Sequence, residues 1–290
     1  MSISREQMLH EMGLSPQWKL RDNPSVLRGA QAAEFDEPGE DAALPAEAVA
    51  EAVAEAVAEA PVHVKRDLVA PDADRPQQIA RMDWAALQQS VDDCRACKLC
   101  AERQKAVPGV GDRSADWLFI GEGPGAEEDA SGEPFVGPSG KLLDAMLAAI
   151  DLQRGANVYL TNAVKCHSPA HHAPEAAEIA ACSPYLKRQI TLLQPKLIVL
   201  LGRAAVHALL GSEGLLSSLR GKPFEYRDGD RTIPVVVTYH PAYLLRTLPD
   251  KAKAWEDLCR ARALMREAEG GGIAGVAGVA GLANSESASI

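Results

Sequence analysis

The first residues, MSISREQMLHEMG, have no apolar core of the kind a secretory signal needs. No later run reaches the length of a membrane span. Both absences point to a cytoplasmic protein, where disulfides are rare, so the six cysteines are not expected to form a disulfide framework. Basic charge is also lacking, with a formal net charge of −10. Residues 1–80 hold fifteen acidic residues against seven basic ones, so −8 of that charge belongs there. The remainder is nearly neutral: it can present a local basic face but cannot bind nucleic acid by bulk charge. The glycine-dense loop Gly121-Glu122-Gly123-Pro124-Gly125 lacks both Gly-Lys-Ser/Thr and the GxGxxG spacing, which disfavours a nucleotide phosphate cradle.

What is present begins with cysteine. Cys94 and Cys97 stand in the run CRACKLC, and Cys166 and Cys182 follow far downstream. A pair two residues apart can grip one centre from a single turn, and the fold must bring the wider pair to the same point. Thiolates are soft ligands, so zinc and an iron–sulfur cluster both remain open. A thioredoxin-like redox motif would not need the distant second pair.

Composition divides the chain. Residues 29–76 form an Ala/Glu-rich linker in which Glu47, Glu51, Glu55 and Glu59 would repel along one helix face. From Glu269 a Gly/Ala/Ser tail has little to bury. That leaves 77–268 as a domain of ordinary size. The segment 1–28 carries LHEMGLSPQWKLR and resembles the N-terminal peptide of the psi subunit of the bacterial replicative clamp loader, which implies a docking contact with the replisome. An amphipathic turn packed on the domain is the plainer alternative.

Within the domain, apolar runs alternate with helical patterns. Strands are predicted at 116–122, 156–164, 196–202 and 232–239, and helices at 141–150, 175–193 and 251–268, with another in AAVHALLG. Strand–helix alternation implies an α/β fold with a parallel sheet covered on both faces, and a site at the carboxyl ends of the strands. Four loops lie there. Phe135, in a Gly/Pro-rich loop, is either core filler or a platform for a flat ligand. Asn162, near the end of an apolar strand, either satisfies backbone groups or reads a base edge. His240 precedes a proline at a strand end. Leu244 and Leu245 beside Arg246 either enter DNA as an exposed wedge or begin the last helix.

The stretches GEGPGAEEDASGEPFVG, YLTNAVKC, LIVLLGRAA and TYHPAYLLR, in that order and with the paired cysteines, resemble the type-4 uracil-DNA glycosylases. These are the iron–sulfur branch of the uracil-DNA glycosylase superfamily. The resemblance runs from about Asp93 to about Leu264. It implies a three-layer α/β/α fold with a central, mostly four-stranded parallel sheet. It implies a 4Fe-4S cluster held by Cys94, Cys97, Cys166 and Cys182. Cys100 departs from the family pattern, and Cys259 is read as a small buried apolar residue.

The implied substrate is uracil-containing DNA, single- or double-stranded, attacked by a monomer. Phe135 would stack on the flipped base, Asn162 would read it, and His240 would bond uracil O2. The Gly121–Gly125 loop, with Gly123 and Pro124, would line the pocket, and Leu244 and Arg246 would touch DNA. Better-known relatives place an Asp where this chain has Gly123, so Glu122 is the expected water-handling carboxylate, with Glu128 and Asp129 as alternatives. Two other readings stay open: action on other deaminated bases, and a non-enzymatic iron–sulfur DNA-binding module attached to the replisome.

Overall fold

A computed structural model describes residues 73–168 and 173–270. The 1–28 segment, nearly all of the 29–76 linker and the tail beyond 270 lie outside the described residues. Helices α1 (Arg75–Ile79) and α2 (Trp84–Asp92) come first, and Asp83 caps α2 by accepting from Ala86 N at 2.8 Å. Then come β1 (Val110–Gly111), β2 (Trp117–Gly121), α3 (Ala126–Ser131), α4 (Gly137–Ala148) and β3 (Val158–Asn162). Next are α5 (Ala176–Leu193), β4 (Leu197–Leu201), α6 (Arg203–Leu210), α7 (Leu216–Leu219), β5 (Phe224–Asp228) and β6 (Arg231–Thr238). Helices α8 (Pro241–Arg246) and α9 (Lys251–Gly270) close the order.

The sheet runs β1-β3-β2-β4-β6-β5. Its four inner strands are parallel, as the resemblance implied. The sheet is wider than expected, because β1 and β5 add antiparallel edges. Both are short or polar on alternate positions, so their apolar signal is weak. Every residue of β2, β3 and β4 is buried, which is why those runs read as continuously apolar.

Successive strand residues point to opposite faces. Phe119, Leu160 and Val199 pack on one face against Leu143 and Leu147 of α4, Leu244 of α8 and Leu258 of α9. Ile120, Tyr159 and Leu200 pack on the other against Leu186 and Ile190 of α5 and Val206 of α6. The result is three layers. A third cluster joins Ile79, Leu87, Val91, Val164, Ile179 and Tyr185 beside the cysteines. Helix α1 belongs to it, so ordered packing starts slightly ahead of the expected boundary at 77. Among the described residues no helix is long and apolar enough to cross a membrane.

Candidate active site and cysteine centre

The carboxyl ends of the inner strands bring the expected residues together. Gly121 and Asn162 end neighbouring strands and are register partners. Asn162 is 2% exposed, and among the described residues its Oδ1 has no hydrogen-bond partner. A side chain on Gly121 would overlap that oxygen and come within 2.5 Å of the Phe135 ring, so glycine leaves this floor flat. Phe135 is buried and stacks on His240, with ring centroids 5.8 Å apart and planes 27° apart.

Phe135 has φ +56, a left-handed conformation that costs a non-glycine residue about 1–2 kcal/mol. Its neighbours hold it there. Arg154 donates to the carbonyls of Pro134 at 3.0 Å and Phe135 at 2.8 Å, and its Nε donates to Asp144 at 3.0 Å. Glu128 accepts from Gly125 N at 2.9 Å and Val136 N at 3.1 Å, tying the glycine loop to the Phe135 loop. Arg154 is silent in the sequence because it lies in a connection with no motif of its own. Glu128 does carry a signal, since Gly125-x-x-Glu128 is capping-box spacing at the start of α3.

His240 is the N-cap of α8, with Pro241 at the first helical position. Its Nδ1 accepts from Ala242 N at 3.2 Å, so in the neutral ring the proton sits on Nε2. Burial lowers its pKa from the usual value; the Glu122 carboxylate opposes this shift and Arg246 adds to it. Glu122 accepts from Ala204 N at 3.1 Å, at the N-terminus of α6. Gly202, at φ +101, makes room, because a Cβ there would stand 2.7 Å from the Glu122 carboxyl carbon.

Three expectations need correction. Glu128 is committed to two backbone amides, as above, and does not offer a free carboxylate. Asp129 is buried and accepts from Gln104 N at 2.9 Å and Lys105 N at 3.4 Å, so it holds a loop instead of a water. Leu244 is 0% exposed and packs in the core, so it is no wedge; it also belongs to α8, not to the start of the last helix. Leu245 and Leu248 are the exposed pair, at 40% and 60%, and Arg246 lies exposed between them. In the glycine loop, a Cβ on Gly123 would press Val164, and His167 Nδ1 lies 2.9 Å from the Pro124 carbonyl. Nothing in the sequence ties His167 to that loop.

Cys94, Cys97, Cys166 and Cys182 line one cavity, and Cys100 lines it too. No disulfide joins any two of the six cysteines. Arg103 donates to Cys166 Sγ at 2.9 Å and to the Asp92 carbonyl at 2.5 Å. Arg75 donates to Cys94 Sγ at 3.5 Å and to the Ala181 carbonyl at 2.8 Å. Burial pushes the Cys166 thiol up to about 12 and the Cys182 thiol up to about 11. Cationic donors beside soft sulfur suit thiolate ligands. Among the described residues no three His, Cys, Asp or Glu converge as ligands of a single ion do. Cys259 packs at the edge of the core, away from the cavity.

A model of the Uracil DNA glycosylase superfamily matches residues 108–259. The type-4 uracil-DNA glycosylase of Sulfurisphaera tokodaii is 42% identical over 163 residues, covering 55% of this chain and 74% of the relative. That of Archaeoglobus fulgidus is 42% identical over 156 residues, covering 52% and 78%. That of Thermotoga maritima is 37% identical over 180 residues, covering 61% and 92%.

Proposed function

The chain belongs to the uracil-DNA glycosylase superfamily, in its type-4 branch, and from that premise we propose that it flips uracil out of DNA and hydrolyses its N-glycosidic bond. It is a hydrolase with a role in DNA repair. The observation that carries the mechanism is the buried, unpartnered Oδ1 of Asn162 beside the bare Gly121. An unpaired buried acceptor costs about 1–3 kcal/mol, and the N3–H of uracil relieves that cost. The Asn162 amide nitrogen then donates to O4. Cytosine reverses both groups, so it would leave them unpaired. Phe135 offers its ring face to the extruded base, whose unstacking costs about a few kcal/mol.

When the C1′–N1 bond breaks, its electron pair goes to uracil and positive charge grows on the sugar. His240 Nε2–H donates to uracil O2 as that charge develops, in the manner of an oxyanion donor. A water oxygen then bonds to C1′. Glu122 orients that water, takes its proton and offsets the charge on the sugar. Leu245 and Leu248, with Arg246, suit the DNA strand that the base has left.

The cysteine centre fits a 4Fe-4S cluster by donor chemistry: thiols around a cavity, two of them receiving bonds from arginine. Cys94, Cys97, Cys166 and Cys182 would hold it. When bound, the cluster supplies covalent cross-links joining the 94–97 turn, the end of β3 and α5.

The decisive experiment incubates the purified, iron-loaded chain with single- and double-stranded DNA carrying uracil, hypoxanthine or xanthine. Release of free uracil supports the reading. Release of another base alone, or of none, overturns it.

A further inference from the structure

Lys165 is buried, at 1% exposure, and among the described residues no carboxylate is bonded to it. Its Nζ donates to Thr161 Oγ1 at 2.6 Å, to the Asn162 carbonyl at 2.6 Å and to Gln189 Oε1 at 2.7 Å. Three neutral acceptors meet the three N–H bonds of an ammonium group. Burying a cation costs several kcal/mol, and a methionine of similar length would fill the space without that cost. The charge and the three bonds therefore point to a use beyond packing.

The surroundings indicate that use. The acceptors form a closed set, because Thr161 Oγ1 also donates to the Pro108 carbonyl at 2.9 Å and Gln189 Nε2 to the same carbonyl at 2.7 Å. Val107 N donates to the Lys165 carbonyl at 2.8 Å, which fixes the main chain of Lys165 as well. One face of Lys165 lines the cysteine cavity. Cys182 lines the same cavity, and Cys166 is the next residue. The lysine side chain turns back along the chain to grip the peptide of Asn162. Lys165 thus spans the gap between the cysteine centre and the amide whose buried oxygen lacks a partner among the described residues.

We propose that Lys165 is a positioning residue that holds the Asn162 amide in register for the base, anchored on its other side by the cysteine centre. This rests on the reading of Asn162 given above. The side-chain amide swings with its own peptide plane. Releasing the carbonyl from Lys165 lets the plane tilt, and a misplacement of about 1 Å at such a group can cost about 100-fold in rate.

The test uses the full, iron-loaded chain and compares Lys165→Met, Asn162→Ala and the double variant on single-stranded uracil DNA. Lys165→Met is expected to keep wild-type iron and sulfide content and affinity for undamaged DNA. It should lose about 10- to 100-fold in kcat/KM, with inhibition by free uracil weakened in the same ratio. On the Asn162→Ala background it should cost nothing further, since the group it positions is gone. Full iron content with a wild-type kcat/KM overturns the proposal, as does an additive loss in the double variant. Loss of iron from a folded Lys165→Met chain also overturns it, since Lys165 would then serve the centre alone. Should that variant fail to fold, Gln189→Met frees one of the three bonds. It should show a smaller loss that also vanishes on the Asn162→Ala background, and wild-type behaviour would overturn the proposal. If Asn162→Ala itself turns over uracil normally, the reading of the pocket falls. If Asn162→Ala is impaired and Lys165→Met is not, only the role of Lys165 falls.

Discussion

The carboxylate of Glu122 is held by the backbone N–H of Ala204, 3.1 Å away at the N-terminus of α6. The bond uses Oε1 and leaves the other oxygen for water. In Glu128 and Asp129, by contrast, both carboxylate oxygens accept from backbone amides. Glu122→Gln should keep affinity for uracil DNA and lose turnover by at least about 100-fold, the lower range for a general base. Single-turnover kinetics beside a binding titration check this. A variant with the full wild-type rate would remove Glu122 from the mechanism.

His240 leads to a pH prediction. Burial lowers its pKa below the usual 6.5. Above 6.5 the ring is neutral in both folded and unfolded chains, and its contribution to stability is fully present. As the pH falls below 6.5 the unfolded chain takes the proton first, so that contribution is lost toward the folded pKa. Protonating Nδ1 would also break the cap on Ala242 N. The midpoint of acid loss in kcat/KM assigned to His240 should therefore lie below pH 6.5. Checking it needs a pH–rate profile with melting measured in parallel; a midpoint above 6.5 contradicts the burial argument.

Leu244 and Leu245 should separate stability from DNA contact. Leu244→Ala opens a cavity in the core and should cost about 2–5 kcal/mol, read by denaturant unfolding. Leu245→Ala should leave stability within about 0.5 kcal/mol. It should lower activity on double-stranded uracil DNA more than on single-stranded DNA, where no paired base must be displaced. Equal loss on both substrates would exclude a wedge role.

The cysteines predict iron content. Cys166→Ala should lose the bound iron and sulfide and unfold at a much lower temperature, because it unties the end of β3 from α5. Cys100→Ala should keep the iron. Iron and acid-labile sulfide assays on the two proteins decide. Loss of iron from Cys100→Ala would place Cys100 among the ligands, a result its position in the same cavity makes worth testing.

Much of the pocket is legible in the linear chain, and particular residues show why. Gly121, Asn162 and His240 stand at or near the ends of apolar runs, and chemistry at the ends of parallel strands follows from sheet topology; Phe135 stands out as an aromatic in a Gly/Pro-rich loop. The His-Pro pair at 240–241 encodes a helix cap locally. Edge strand β5 is hard to read because its alternating burial dilutes the apolar signal, although the Asp228-Gly229 turn marks a hairpin. Leu244 and Leu245 are indistinguishable as letters, and only the facing of α8 decides which is buried. Arg154 and Lys165 act on residues that a linear pattern does not join to them: Arg154 reaches Phe135, and Lys165 reaches Gln189.

The sequence by itself determined the four inner strands, their parallel arrangement and the candidate residues at their carboxyl ends, because period, strand ends and caps are local properties of the chain. Tertiary structure alone decided which carboxylates are taken up by backbone amides, which leucine faces outward, how Phe135 is held in a strained turn, and how Lys165 lies between Asn162 and the cysteines. Each of these depends on hydrogen-bond partners and burial supplied by segments distant in sequence, and such partners exist only after the layers have packed.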